Sequence, residues 1–186
     1  MKILIVDIET TDFFKNNGKI VEVGMVSLDL NTGKKEIVFN SVCHEKPITE
    51  KEIENSWIVK NSDLTKKAIL DSPEFVDIKH KIQGIINRYP DGITAYNNAF
   101  DFQFLESRGI NLEKKLPCPM IISTPIVKIN NPYDWGDLYK WPSVEEAYYH
   151  FFPKTDFIEK HRGGDDAYHE ADIVLKLYQI GKFKVH

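Results

Sequence analysis

Apolar positions along the chain change their period several times, and each change marks an element. Residues 2–11, KILIVDIETT, form a short run rich in β-branched residues and read as a buried strand. GKIVEVGMVSLDL (18–30) alternates apolar and polar, NTGKK supplies a turn, and KKEIVFNSVCH (34–44) alternates again, which predicts a hairpin. PITEKEIENSW (47–57) opens with proline, a Thr cap and acidic residues, the marks of a helix start. SPEFVDIKHKIQGIINRYP (72–90) carries apolar residues at helical spacing. GITAYN (92–97) is expected as a fourth strand, AFDFQFLESRGI (99–110) as a helix ended by Gly109, and CPMIIST (118–124) as a fifth strand. KINNPYDWGDLYKWP (128–142) reads as a loop, SVEEAYYHFFP (143–153) as a short capped helix, and the last helix is expected from about Asp165 to Lys182. The class implied is α/β: a mixed five-stranded sheet, three antiparallel strands first and parallel additions after, with helices on both faces.

Length and composition narrow this picture. At 186 residues, 42% hydrophobic and 28% charged, the chain suits one globular domain spanning 1–186. No apolar run approaches the roughly 20 residues of a membrane span. The opening MKILIVDIE is too short for a signal-peptide core, so a cytoplasmic location is the expectation. Cys43 and Cys118 form no CxxC pair, which argues against a disulfide framework and a thiolate zinc site. A net charge of −4 argues against electrostatic coating of nucleic acid, but not against an enzyme that approaches it through cations on its own carboxylates.

Three places carry candidate chemistry. Asp7 and Glu9 stand two apart at the end of the first strand, so both project to one face and repel unless a cation lies between them. Asp101, in AYNNAFDFQFL, falls in the first turn of a helix that starts beside the sheet, where the helix dipole alone would favour a carboxylate. HRGGDDAYHEADIVLKLY (161–178) holds two histidines and three aspartates and offers two pairings, His161 with Asp166 or His169 with Asp172. Asp165 and Asp166 stand at a helix start, whereas His169 and Asp172 lie among apolar helix positions.

Together, VDIETTD with its following IVEVG, AYNNAFD and HRGGDDAYHEAD resemble the three motifs of the DEDDh (DnaQ-like) 3′–5′ exonucleases, a group that includes proofreading subunits, RNase T and oligoribonuclease. The resemblance covers nearly the whole chain and implies an RNase H-like fold. Its third motif requires histidine five residues before aspartate. His161 and Asp166 satisfy that register, while the residue five before Asp172 is Ala167. Tyr96 stands where many members carry histidine, and Gly163-Gly164 replace a bulkier pair, which is expected to loosen the loop carrying His161.

The resemblance implies a metal-dependent exonuclease that releases nucleoside 5′-monophosphates from single-stranded DNA or RNA 3′ ends. Asp7, Glu9, Asp101 and Asp166 would bind two Mg²⁺ or Mn²⁺ ions, and His161 would act as general base. Thr10 and Thr11 would grip the terminal nucleotide, with Asn97 at the same site and Phe13 or Phe14 against the bases. Tyr133, Trp135, Tyr139 and Trp141 read mainly as a packing corner, with contact to a strand as the alternative. An exoribonuclease acting on RNA ends or short oligomers, and a non-catalytic nucleic-acid-binding subunit, are the competing functions. The end at GKFKVH suggests a free-standing nuclease without a polymerase-holding tail.

Overall fold

The computed structural model describes residues 1–133 and 136–185, so Trp135 of the aromatic loop lies outside the described residues. Four strands form one sheet: β1 (Lys2–Thr10), β2 (Ile20–Asp29), β3 (Lys35–Val42) and β4 (Ile93–Thr94), in the order β3-β2-β1-β4. The first three are antiparallel and β4 runs parallel to β1. The helices are α1 (Glu50–Asn55), α2 (Trp57–Asn61), α3 (Lys66–Leu70), α4 (Phe75–Ile86), α5 (Asn98–Ser107), α6 (Pro119–Val127), α7 (Val144–Phe151) and α8 (Gly163–Gln179). No helix among the described residues is long and apolar enough to cross a membrane.

Side-chain alternation along β1 divides the interior into two layers. Leu4, Val6 and Ile8 pack with Ile82, Ile85, Phe104 and Leu105 of α4 and α5. Ile3 and Ile5 pack on the other face with Ala147 of α7 and Ala171, Val174 and Leu177 of α8. Asp7 and Glu9 continue the register of Ile3 and Ile5, so they emerge on the α8 side. A third cluster, Val21, Ile53, Ile58, Leu64 and Ile69, seats α1–α3 at the sheet's end. Thr49 forms the expected capping box with Glu52, and Ser143 does the same with Glu146. The short helices α2 and α3 were not legible as separate elements.

The sheet has four strands where five were expected. Segment 118–124 belongs to α6, not to a strand. The backbone beside β4 does begin a ladder, with Ile93 N donating to Lys114 O and Leu116 N to Ile93 O. Pro117 has no N–H to extend it, and Pro119 at the first position of α6 is pre-set for a helix. The fifth strand is thereby reduced to a single bridge at Lys115.

The last helix begins two residues earlier than expected, and its glycines do not loosen the preceding loop. Gly163 and Gly164 are buried in the first turn of α8. A Cβ on Gly24 of β2 would lie 2.0 Å from the Gly163 carbonyl carbon, and one on Gly163 would lie 2.8 Å from Gly24 N. The two glycines allow backbone to meet backbone, which brings the start of α8 onto the carboxylate end of β1. Gly24→Ala is expected to destabilise the protein by at least the about 1–3 kcal/mol typical of overpacking, because the clash is with backbone that cannot rotate away. The midpoint of urea unfolding checks this.

Candidate active site

Three elements converge where β1 ends. β1 brings Asp7 and Glu9, α5 brings Asp101 in its first turn, and α8 brings Asp166. Asp101 is tied to the strand directly, since its Oδ1 accepts from Ile8 N at 3.1 Å. Asp166 accepts at both oxygens from the preceding segment, from Lys160 N (3.3 Å) and Arg162 N (2.8 Å). Ligand atoms of Glu9, His161 and Asp166 lie within 4.8 Å of one another. The five residues read from the sequence motifs are thus brought together at this end of the sheet, with His161 as the histidine beside Asp166.

Burial raises every one of these carboxyls above its usual range, and for Asp7 and Glu9 repulsion from neighbouring carboxyls adds to it. Asp7 lies well above the ordinary value through burial, then through the negative charges of Glu170, Glu9, Asp101 and Asp166. Glu9 is raised by burial, then by Asp166, Glu22, Glu159 and Asp101. Burial pushes Asp101 to about 7, against the hydrogen bond from Ile8. Asp166 is also raised by burial, with the Arg162 and Lys160 backbone bonds opposing. At 4.8 Å two unit charges repel by about 3 kcal/mol for an effective dielectric near 20.

Asp7 Oδ2 is buried and accepts no hydrogen bond among the described residues. A buried carboxylate oxygen without a donor, surrounded by four other carboxyls, fits a cation ligand. The all-oxygen donor set suits a hard ion such as Mg²⁺ or Mn²⁺.

Two acidic residues in this cluster were missed in the sequence. Glu170, only 3% exposed, is the largest source of negative charge acting on Asp7. Its Oε2 accepts from Tyr96 N at 3.2 Å, and it lies one helical turn beyond Asp166, a spacing that was readable. Glu159 is pushed up to about 7 by burial, then by Asp166 and Glu145. Its Oε1 stands 3.9 Å from His161 Nδ1. Nothing in the local pattern around 159 marks it.

His169 and Asp172 are built into the scaffold instead. His169 packs on Phe157 (ring centroids 4.4 Å) and Tyr148 (5.7 Å), and its Nδ1 lies 2.8 Å from Asp165 O. Asp172 pairs with Lys35 at 2.6 Å and accepts from Tyr148 Oη. Tyr96, in the place of the common histidine, is buried and donates its hydroxyl to the carbonyls of Pro142 and Ser143.

A cleft of about 550 Å³ opens beside Glu9, lined by Ile8, Thr10, Thr11, Phe13, Trp57 and Phe100 among others. Thr10, Thr11 and Phe13 thus border it, whereas Asn97 caps α5 outside its lining. Phe13 is 63% exposed, while Phe14 packs edge-on against Phe104 at 5.3 Å. Of the two, Phe13 is the one presented to the cleft. Trp57 was not singled out in the sequence, yet its ring lies edge-on to His161 at 4.6 Å. Trp141 is 62% exposed and does not fill the packing corner expected of it.

No protein-family model matches the chain. Among curated proteins it is 24% identical over 174 residues to the DNA polymerase III PolC-type of Clostridium perfringens (strain 13 / Type A). That match spans 92% of the chain but only 11% of the relative. Three solved structures cover essentially all of it. Exonuclease X in complex with 5′ overhanging duplex DNA superposes with a TM-score of 0.64 at 18% identity, over 98% of this chain and 95% of that one. The nuclease domain of 3′hExo, a DEDDh family member, bound to rAMP, gives 0.65 at 16% identity, over 100% and 96%. Cell-death related nuclease 4 gives 0.71 at 15% identity, over 99% and 66%. The mixed α/β fold is therefore that of structurally characterised nucleases. Within them, the resemblance read from the motifs, to the DEDDh 3′-exonucleases, extends to the three-dimensional arrangement of the chain.

Proposed function

We propose that the protein is a metal-dependent 3′–5′ exonuclease that releases nucleoside 5′-monophosphates from single-stranded ends. The observation that carries this reading is the convergence of Asp7, Glu9, Asp101 and Asp166 around an undonated Asp7 oxygen, with His161 at their edge. The fold shared with 3′-exonucleases supports it.

Asp7, Glu9, Asp101 and Asp166 would hold two divalent cations. When bound, such a pair supplies positive charge against an anionic phosphate and makes water more acidic. His161 accepts the proton of the attacking water on an imidazole nitrogen. Water oxygen bonds to phosphorus as the bond to the 3′ oxygen of the penultimate nucleotide breaks, and the shortened chain keeps a 3′-hydroxyl. Ile8, Phe13, Trp57 and Phe100 give the cleft an apolar wall, which accepts any base face by stacking. Glu9 borders the same cleft and accepts a hydrogen bond from the terminal 3′-hydroxyl.

A 3′-phosphate would lose that hydrogen bond and set further negative charge against the carboxylates. A hydrogen bond to a charged group is worth roughly 1.5–3 kcal/mol, so stepwise shortening is expected from 3′-hydroxyl ends and strong discrimination against 3′-phosphate ends. The assay compares 5′-labelled DNA and RNA strands with Mn²⁺, beside 3′-phosphorylated twins and a closed circle, on a denaturing gel. Cutting of the circle would make the protein an endonuclease and end this reading.

A further inference from the structure

A general base must be held at a fixed angle to its water, yet the imidazole of His161 has no hydrogen bond among the described residues. Its Nδ1 stands 3.9 Å from Glu159 Oε1, too far for a directing hydrogen bond, and a ring nitrogen lies within 4.8 Å of ligand oxygens of Glu9 and Asp166. Its backbone sits at φ +55°, in the left-handed region uncommon for a residue with a side chain. The ring's direction must therefore be imposed by what grips the chain on either side of it.

The grip after His161 is provided by Arg162. Its Nε donates to Glu22 Oε2 at 2.8 Å and its Nη2 to Glu22 Oε1 at 3.0 Å, a two-pronged pair with a fully buried carboxylate. Glu22 lies directly opposite Glu9 in the β1–β2 ladder. The third prong, Nη1, donates to Asp63 at 2.6 Å, in the segment between α2 and α3. α2 thus meets the 161–162 segment at both ends: Trp57 at its start lies against His161, and Asp63 just past its end holds Arg162. One guanidinium joins the strand beneath the carboxylates, the helix beside the cleft and the residue next to the base.

Resting on the exonuclease reading above, we propose that Arg162 is a positioning residue that sets the orientation of His161, with Glu22 as its anchor and Asp63 as its outer stay. Lysine cannot replace it, because a single ammonium cannot make the two parallel bonds to Glu22 and still reach Asp63. Its loss should slow the proton-transfer step while leaving substrate capture intact.

The test measures kcat and KM on a short 5′-labelled oligonucleotide, the melting temperature, and amide hydrogen exchange at residues 159–162. The variants are Arg162→Lys, Asp63→Ala and His161→Ala. Expected for Arg162→Lys is a fall in kcat of about tenfold to a hundredfold, the scale of a small misplacement of a reacting group. KM should stay within about twofold of wild type, with exchange at 159–162 accelerated. The exposed Asp63→Ala should show the same pattern at about threefold, and decides the matter should Arg162→Lys fail to fold. Wild-type kcat in these variants beside an inactive His161→Ala would overturn the positioning role and leave the exonuclease reading standing. Parallel losses of kcat, KM and melting temperature would also overturn it, as a plain structural effect. Full activity in His161→Ala would overturn the base assignment itself, and this inference with it.

Discussion

Asp7→Asn is expected to reduce activity to background while raising the melting temperature of the protein in chelator. Both effects come from the same carboxylate. Asp7 is surrounded by Glu170, Glu9, Asp101 and Asp166, and its buried Oδ2 has no donor among the described residues. Without a cation each ionised pair costs energy, so a neutral amide of the same shape removes repulsion from the folded state. With a cation, the amide offers a weaker ligand and no charge, so the chemistry is lost. The pH dependence follows with a definite sign. The site carboxyls bind protons more tightly when folded, with Asp101 and Glu159 raised to about 7 and Asp7, Glu9 and Glu170 well above their ordinary values. The unfolded chain releases these protons near the ordinary values, 3.8 for Asp and 4.5 for Glu. Between those limits the folded state holds more protons, so the metal-free protein loses stability as pH rises toward and past 7. Thermal melts in chelator from about pH 5.5 to 8 should descend in the wild type and descend less in Asp7→Asn. Mn²⁺ or Mg²⁺ should restore the wild-type melt at the upper end. Full activity of the wild type in excess chelator would refute the cation-site reading.

His161→Ala is expected to lower turnover by at least about a hundredfold, the usual consequence of removing a general base. His169→Ala should keep turnover near wild type and lose stability instead. The contrast rests on placement. His161 stands within 4.8 Å of Glu9 and Asp166 at their ligand atoms. His169 lies inside α8, about one turn beyond Asp166, with its ring against Phe157 and Tyr148. Steady-state rates on a 5′-labelled strand, read beside melting temperatures, separate the two. The reverse order of losses would mean that the third motif pairs His169 with Asp172.

The parts of the site legible in the sequence are those fixed by local periodicity. Asp7 and Glu9 share a face because strand side chains alternate, and Asp101 and Asp166 enter through first helical turns that Asn-rich and Gly-rich segments announce. The glycine pair at 163–164 was visible too, but local sequence suggested a loose loop. Only the approach of Gly24 from β2 and Asn40 from β3 shows why side chains are excluded there. The expected fifth strand failed for a nearby reason: CPMIIST has strand-like apolar residues, but Pro117 and Pro119 remove the donors a ladder needs and favour a helix.

Sequence by itself determined the α/β class, the antiparallel start of the sheet, the capped helices and the four motif carboxylates with their histidine. These depend on interactions spanning a few residues, which pattern and propensity record. The tertiary structure alone decided that Glu170 is buried against Asp7, that Glu159 joins the acidic cluster, that Trp57 faces His161, and that Arg162 links Glu22 to Asp63. Each of these contacts except the one at Glu159 joins residues far apart in the chain, and the energy of each depends on burial, since a carboxyl is raised or an ion pair strengthened only once packing has excluded water around it.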